Sequence, residues 1–570
     1  MNSDRLSFTG RFWKQRCRDT EKHRYLAQQL KLEPLFAPIL AYLDQLVDPL
    51  TLLDMEQAIT RIIQALTHQE PMAVFGDYDV DGSTSAALLI RYFRALGTEL
   101  RLYIPNRLTE GYGPNPTAME KLANEGIRLL ITVDCGITAF LSFERAAQCG
   151  LDVIITDHHQ ARQELPKAVA VINPNRLDET FPYKELAGVG VAFFLLMALN
   201  RRLRQQGWFT GGKTEPDLRR LLDLVAVGTI ADVARLTGPN RPLVAKGLEW
   251  MEHSTNSGLK SLLRQASISF PVTTGSIGFH LAPRINAGGR LGLGDLGSTL
   301  LTTDDAQTAS QIAETLESYN RERQEIEKQI MTEAIFCIES QKLDKKQMGI
   351  VLSSQNWHPG VVGIVASRLS ERFHRPCIIV ALDAEGKGKG SGRSIPGLNL
   401  LAAIEASSEH LITFGGHQAA AGVSIKTENL ELFSHAFDQA VRSLNPPELF
   451  QPTLIVDTLV PHNVELLQII KNLDKFKPFG AGNPEPVLML KNLQVSRVWP
   501  LKDRHVKCQL TGKNGLNLSA ITFRCLPGPL GEALLERPSS LDVVGTLGIN
   551  EYQNRQTIQF MLKDARPNLS

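Results

Sequence analysis

The sequence predicts an α/β protein: a parallel-sheet domain joined by a long helix to a second α/β domain, with a β-barrel after it. Three observations predict this. Between about residues 70 and 200, short apolar runs alternate with helical stretches, as in βαβ units. Residues 305–341 keep one helical pattern throughout, and residues 450–565 turn strand-rich.

Residues 1–48 read as a mixed, partly helical lead-in without legible chemistry. In 49–265 the strand-like runs are 72–76, 100–104, 129–134, 153–156 and 169–172, and 215–265 look helical. The connecting segment, 266–345, holds the long helix. There Ile312, Leu316, Tyr319, Ile326 and Ile330 keep one stripe, with Glu, Arg and Lys on the other face. At 1.5 Å per residue it makes a rod of roughly 50 Å, enough to bridge two domains. A second α/β domain spans 346–447, with strands near 348–352 and 376–381 and an end marked by Asn445-Pro446-Pro447. In 448–570 the candidate strands are 487–498, 505–511, 516–523, 541–550 and 556–563, with a helical stretch at 529–536 between the third and fourth. That order matches an OB-fold, a common binder of single-stranded nucleic acid, although other small barrels and sandwiches share part of it.

At 570 residues the chain is too long for one core. Its net charge of +1 announces no global polyanion-binding field, so any nucleic-acid surface must be a local groove. The seven cysteines form no Cys-x-x-Cys pair, which argues against a thiolate zinc site and a disulfide framework. Met1 to Lys14 has no apolar signal core, and the longest apolar run, Gly188 to Leu199, is too short to span a bilayer. A cytoplasmic protein is expected.

The chemistry gathers at strand ends. Met72-Ala73-Val74-Phe75-Gly76 runs into Asp77-Tyr78-Asp79-Val80-Asp81-Gly82, and Leu129-Leu130-Ile131-Thr132-Val133 into Asp134. Val153-Ile154-Ile155-Thr156 runs into Asp157-His158-His159. Parallel strands present their carboxyl ends along one edge, where such groups can converge. Carboxylates packed together repel unless cations sit between them. An EF-hand reading of Asp77-x-Asp79-x-Asp81 fails, because position twelve is Leu88 and the flank is strand-like. A strand end followed by a helix capped near Ser83, Thr84 and Ser85 fits better. A carboxylate-rich set with one or two imidazoles suits Mn²⁺ or Mg²⁺ rather than zinc, and two such ions are the usual apparatus of phosphodiester cleavage.

The ordered motifs resemble the DHH phosphoesterase superfamily and, within it, the RecJ single-stranded-DNA exonucleases, over about residues 70–565. They are Gly76–Gly82; Pro105-Asn106-Arg107 with Glu110-Gly111-Tyr112-Gly113; Val133-Asp134-Cys135-Gly136; and Asp157-His158-His159. Asn173-Pro174-Asn175, Gly228-Thr229-Ile230-Ala231-Asp232 and Pro283–Arg290 follow. Then come Trp357-His358-Pro359-Gly360-Val361, Gly390-Ser391-Gly392-Arg393-Ser394, Gly415–Gly422 and Phe479–Pro486. Val80, Cys135, Gly288-Gly289 and Arg235-Leu236 depart from the usual pattern without removing an acid.

The resemblance implies a DHH catalytic domain, a DHHA1 domain reached through the long helix, an active site in the cleft between them, and an OB-fold. It implies metal-dependent 5′→3′ degradation of single-stranded DNA to mononucleotides in repair and recombination. Asp79, Asp81, Asp134, His158 and Asp232 would hold Mn²⁺ or Mg²⁺, with Asp77 a ligand or a neighbour of one. His159, Asp157 and Asp81 would be catalytic. Asp232 follows an apolar run, Leu224 to Ala231, compatible with helix or strand. In Gly386–Ser394, glycines would let the backbone approach a 5′ phosphate, with Ser391 and Arg393 on it. Arg107, Arg290, Arg284 and His417 would line the cleft, and Tyr112 would stack on a base or wedge the strand. Trp357 and His358 fit either core or cleft. A monomer is expected, with a single-strand-binding protein and a helicase as partners by family analogy. The competing functions are an oligonucleotide phosphodiesterase of the same superfamily and a catalytically inactive DNA-binding scaffold. The first lacks the OB-like tail, and the second has lost its acids.

Overall fold

A computed structural model describes residues 6–15, 47–106, 110–111, 113–291, 293–461, 464–502, 504–512, 515–552 and 555–568. The chain folds as two units. One comprises Leu43–Gln324 with Pro478–Pro484; the other comprises Met1–Tyr42, Glu325–Lys477 and Glu485–Ser570. The first described strand, β1 (Phe12–Gln15), belongs to the latter and is treated there.

The Leu43–Gln324 unit is built on five parallel strands: β2 (Met72–Gly76), β3 (Leu100–Tyr103), β4 (Leu129–Val133), β5 (Asp152–Thr156) and β6 (Ala170–Ile172). They lie in the order β3-β2-β4-β5-β6. Side chains alternate between two cores. Met72, Val74, Ile131, Val133 and Ile154 join one cluster, and Ala73, Phe75, Leu130, Val153 and Ile155 the other. A sheet covered on both faces needs apolar residues at every position, which is why these strands read as unbroken apolar runs. The expected strands are present to within a residue or two. The helical region 215–265 resolves into helices Leu222–Ala231, Asn240–Trp250 and Ser257–Gln265, separated by turns.

The long helix is Ala306–Gln341. Its apolar stripe is interrupted: Asn320, Arg323 and Glu327 are as buried as their apolar neighbours, and Glu327 pairs with Arg368 at 2.7 Å. A stripe drawn from apolar residues alone missed them.

The other unit holds a five-stranded sheet of β7 (Ile350–Ser354), β8 (Cys377–Leu382), β9 (Lys387–Arg393), β10 (Leu411–Gly416) and β11 (Ala420–Lys426), in the order β10-β11-β9-β8-β7. Only two of these strands were expected. The glycine-rich stretch forms a strand: β9 runs between β8 and β11 and pairs with both. Its glycines face the core, where a Cβ at Gly388 would come 2.6 Å from Val380 and one at Gly390 2.7 Å from Val423. The glycines therefore serve strand packing. The main chain is committed to the ladders, so close backbone approach to a phosphate is corrected by the structure.

Next come β12 (Thr453–Val456), β13 (Thr458–Leu459), β14 (Leu488–Leu501), β15 (His505–Gly512), β16 (Asn517–Thr522), β17 (Leu541–Tyr552) and β18 (Arg555–Pro567). Pairings run β14-β15-β16-β18-β17, and β17 returns to β14, which closes a five-stranded barrel. Helix Pro529–Leu535 lies between β16 and β17, as an OB-fold requires. In the lead-in, β1 pairs in parallel with β12. Trp13 is 2% exposed, donates its indole N–H to Asp564 Oδ2 at 3.2 Å, and lies under the Arg566 guanidinium. Residues 1–5 and 16–46 of that lead-in lie outside the described residues.

Candidate metal centre

The centre is assembled at the carboxyl ends of three neighbouring strands, β2, β4 and β5. After β2 the chain turns through Asp77 and caps helix Val80–Ala95 with Asp79, whose Oδ1 accepts the Gly82 N–H at 3.0 Å. Gly82 is required there, since a Cβ would meet the Asp77 backbone at 2.5 Å. Asp81, in the first helical turn, is 1% exposed. It accepts the N–H groups of Gly188 (2.7 Å) and Val189 (2.9 Å), the start of helix Gly188–Gln205. Those are unpaired donors at the positive end of a helix, a natural seat for a carboxylate.

Asp134, directly after β4, adopts a left-handed backbone (φ 58°) and is 2% exposed. After β5, Asp157 accepts N–H groups from Ile137, His158 and His159, and His159 Nδ1 lies 2.8 Å from its Oδ1. Asn173 and Asn175 hold the tripeptide from the other side, donating to the carbonyls of His159 (2.9 Å) and His158 (2.6 Å). Asp232 follows helix Leu222–Ala231, which settles the ambiguous apolar run as helix.

His158 Nε2 lies 3.1 Å from Asp134 Oδ1 and 3.9 Å from Asp81 Oδ2, and His158 Nδ1 lies 3.9 Å from Asp232 Oδ2. Ligand atoms of Asp134, His158 and His159, of Asp81, His158 and Asp232, and of Asp77, Asp79 and Asp134 each fall within 4.8 Å of one another. Burial, reinforced by Asp79, pushes the Asp81 carboxyl up to about 7. Burial and the neighbouring acids raise Asp134, and burial with Asp81 and Asp79 pushes Asp232 up to about 8. Burial and the His159 charge push His158 down to about 4, so its ring is neutral near pH 7. Burial opposes the charged forms of His159 and Asp157, but their mutual hydrogen bond wins: His159 rises to about 9 and Asp157 falls below the usual carboxylate range. His158 Nε2 is buried without a hydrogen-bond partner. A neutral imidazole with an unsatisfied ring nitrogen, among carboxylates that repel one another, is a donor set that fits divalent cations.

The structure brings together Asp77, Asp79, Asp81, Asp134, Asp157, His158, His159 and Asp232. Arg107 and Tyr112 lie outside the described residues. Arg284 is held in its own unit: its Nε lies 2.6 Å from Glu317, which also binds Arg321, and its Nη1 donates to the His280 carbonyl. Arg290 ends helix Ala282–Arg290 and is half-buried. In the other unit, Arg393 donates to Ser391 Oγ at 2.8 Å on β9, His417 is exposed beyond β10, and Trp357 is a core residue bonded to Glu333. Burial lowers the Arg393 pKa.

Several positioning residues were not assigned from sequence. A Cβ at Gly228 would press on Thr84 Oγ1 at 2.3 Å and on Asp81 Oδ1 at 3.0 Å. Segment Pro478–Pro484 docks against Leu236 and Thr274: Leu236 N–H donates to the Ala481 carbonyl at 2.7 Å, and Thr274 Oγ1 to the Phe479 carbonyl. The motifs Gly228–Asp232 and Phe479–Pro486 were visible in the sequence, but these contacts are tertiary.

Three family models match: the DHH family N-terminal domain over residues 71–229, the DHHA1 domain over 346–443, and the RecJ OB domain over 456–564. The single-stranded-DNA-specific exonuclease RecJ of Bacillus subtilis (strain 168) is 36% identical over 573 residues, covering 97% of this chain and 70% of that protein. The Escherichia coli (strain K12) protein of the same name is 36% identical over 525 residues, covering 90% of each. The crystal structure of RecJ in complex with Mn²⁺ from Thermus thermophilus superposes with a TM-score of 0.83 at 29% identity, covering 98% of this chain and 80% of that one. A Mg²⁺ complex of RecJ from the same organism matches with a TM-score of 0.76. On its motifs, its fold and these likenesses, the chain belongs to the RecJ exonuclease family.

Proposed function

We propose that this chain is a metal-dependent exonuclease specific for single-stranded DNA, working 5′→3′ and releasing 5′-mononucleotides in repair and recombination. The observation that carries the reading is the convergence of buried carboxylates and a neutral imidazole at three adjacent strand ends. Asp77, Asp79, Asp81, Asp134, His158 and Asp232 would hold Mn²⁺ or Mg²⁺, whose Lewis acidity acts on a water and on the scissile phosphate. The chain's own residues prepare that chemistry. Gly188 and Val189 seat Asp81, and the asparagines fix the Asp157–His159 tripeptide. Asp157 orients His159 through Nδ1 and favours its protonated form, which suits it to give a proton to the leaving 3′ oxygen.

Arg393 and Ser391 are proposed to receive the 5′ phosphate, with Arg107, Arg284, Arg290 and His417 along the strand and Tyr112 against a base. The barrel is proposed to carry the strand beyond the cut. No described helix is long and apolar enough to cross a membrane; a cytoplasmic monomer recruited by a single-strand-binding protein and a helicase is the proposed setting.

Digestion of end-labelled single and double strands, with Mn²⁺ and with chelator, tests the reading. Mononucleotides should appear only from single strands, starting at the 5′ end, and only with metal. Asp81→Ala and His158→Ala should stop cleavage while strand binding persists. Near-normal turnover in either variant would refute the site.

A further inference from the structure

The catalytic unit holds a cavity of about 380 Å³ that shares no lining residue with the metal centre. Tyr92, Asp223 and Asn256 are buried at its floor, and Thr214, Arg220 and Thr255 are exposed at its rim. Asp223 is 1% exposed. Its carboxylate accepts the Ser254 hydroxyl at 2.5 Å and the Leu224 N–H at 2.7 Å, and it has no ion-pair partner among the described residues. Nearby Arg91 spends its guanidinium on Leu301, Thr303 and Asp304. Arg91 lines the same cavity and acts on Asp223 through space, but a carboxylate this deeply buried still gains from a ligand bringing N–H donors. At the rim, Glu215 and Asp217 are bound by Arg204 and Arg219, whereas Arg220 makes no ion pair among the described residues.

An acceptor at the floor and a cation at the mouth select a ligand with N–H donors at one end and an anion at the other. We propose that this cavity binds a nucleoside 5′-monophosphate, base inward, with Asp223 accepting from the base edge and Arg220 on the phosphate. Each Asp223 oxygen keeps a lone pair beyond the one in use. Guanine, with neighbouring N1–H and N2–H donors, fits a carboxylate best; thymine offers one donor. The volume lies within the range of small-molecule sites.

Helix Val80–Ala95 starts at Asp79 and Asp81 and reaches the cavity at Tyr92. Helix Leu222–Ala231 presents Asp223 in its first turn and Asp232 just past its last residue, roughly 13 Å along the axis. The same two helices thus frame both sites. Binding itself does not require the metal centre to be active.

Calorimetric titration of the full chain in chelator with dGMP, dTMP and 2′-deoxyguanosine tests this, using the native protein, Arg220→Ala, Asp223→Asn and His158→Ala. We expect dGMP to bind about tenfold tighter than dTMP, and Arg220→Ala to lose about tenfold for dGMP but nothing for deoxyguanosine. Asp223→Asn should erase the preference for dGMP over dTMP, and His158→Ala should bind as the native chain does. Arg220 is exposed, so its variant keeps the test decisive if Asp223→Asn fails to fold. No dGMP binding, equal affinity for dGMP and dTMP in the native chain, or an undiminished affinity in Arg220→Ala would overturn the proposal. So would binding lost in His158→Ala, which would put the nucleotide at the metal centre instead.

Discussion

Gly188 rests directly against Asp134: a Cβ there would lie 2.8 Å from the Asp134 Cβ and 2.9 Å from its Oδ1. The same residue donates its N–H to Asp81. One helix start therefore fixes carboxylates from two different strand ends, and glycine is what lets the helix come that close.

Gly188→Ala should push Asp134 out of register with His158 while the fold survives. A displacement of about 1 Å in such a site costs about 100-fold in rate. Cleavage assays and Mn²⁺ titration by electron paramagnetic resonance should fall together. Native Mn²⁺ affinity in this variant would show that Asp134 does not depend on the glycine.

The metal-free protein should become less stable from about pH 6.5 to pH 9. Asp81 (about 7) and Asp232 (about 8) have folded pKa values above the ordinary 3.8, and His159 (about 9) is above 6.5. A group whose folded pKa is raised stabilises below its unfolded value and loses that contribution as pH rises through its folded one. All three therefore act in the same direction in this window. His158, depressed to about 4, changes stability only below about 6.5. Saturating Mn²⁺ should flatten the slope, because it binds the deprotonated ligands. Thermal unfolding at several pH values, with and without chelator, reads this directly; a metal-free stability that climbs over the window would contradict the buried-carboxylate account.

Arg393→Ala should cost about 10- to 100-fold on 5′-phosphorylated strands, the weight of a charge-assisted hydrogen bond, and much less on 5′-hydroxyl strands. Ser391→Ala should cost less, since the hydroxyl orients the guanidinium at 2.8 Å. Single-turnover kinetics on both substrates checks it, and equal losses on the two would remove the phosphate role.

Trp13→Ala should destabilise the barrel by about 3–5 kcal/mol, the usual cost of emptying a buried tryptophan site. It also strips Asp564 of a donor and Arg566 of a ring. Hydrogen exchange along β18 should accelerate while Leu43–Gln324 stays protected; unchanged exchange in β18 would make the N-terminal strand dispensable.

How much of this was legible beforehand varies with the physics of each element. The strands of the catalytic sheet are buried on both faces, so their apolar runs marked them, and the acids at their ends stood out by contrast. Asp232 was visible only as an acid after an apolar run, because a mostly apolar stretch of eight residues fits a buried strand or a buried helix equally. β9 was not among the expected strands because glycine and lysine are poor strand formers; its three core-facing glycines exist because Val380, Val423 and Leu400 fill the space where side chains would go. Gly188 and Gly228 were beyond reach for the same reason: what they touch is at least 39 residues away in the chain. Asn320, Arg323 and Glu327 hid because a buried polar row carries no hydrophobic period.

The pairing of β1 with β12 has a consequence for biosynthesis. Phe12 leaves the ribosome about 440 residues before its partner Thr453, an interval of roughly 20 to 90 s at 5–20 residues per second. Throughout that time Trp13 has no aspartate to bond and no guanidinium to shelter it. The nascent chain must carry an unpaired strand until the barrel is translated, so that segment is a natural client for chaperones and the synthesis of the barrel is what retires them.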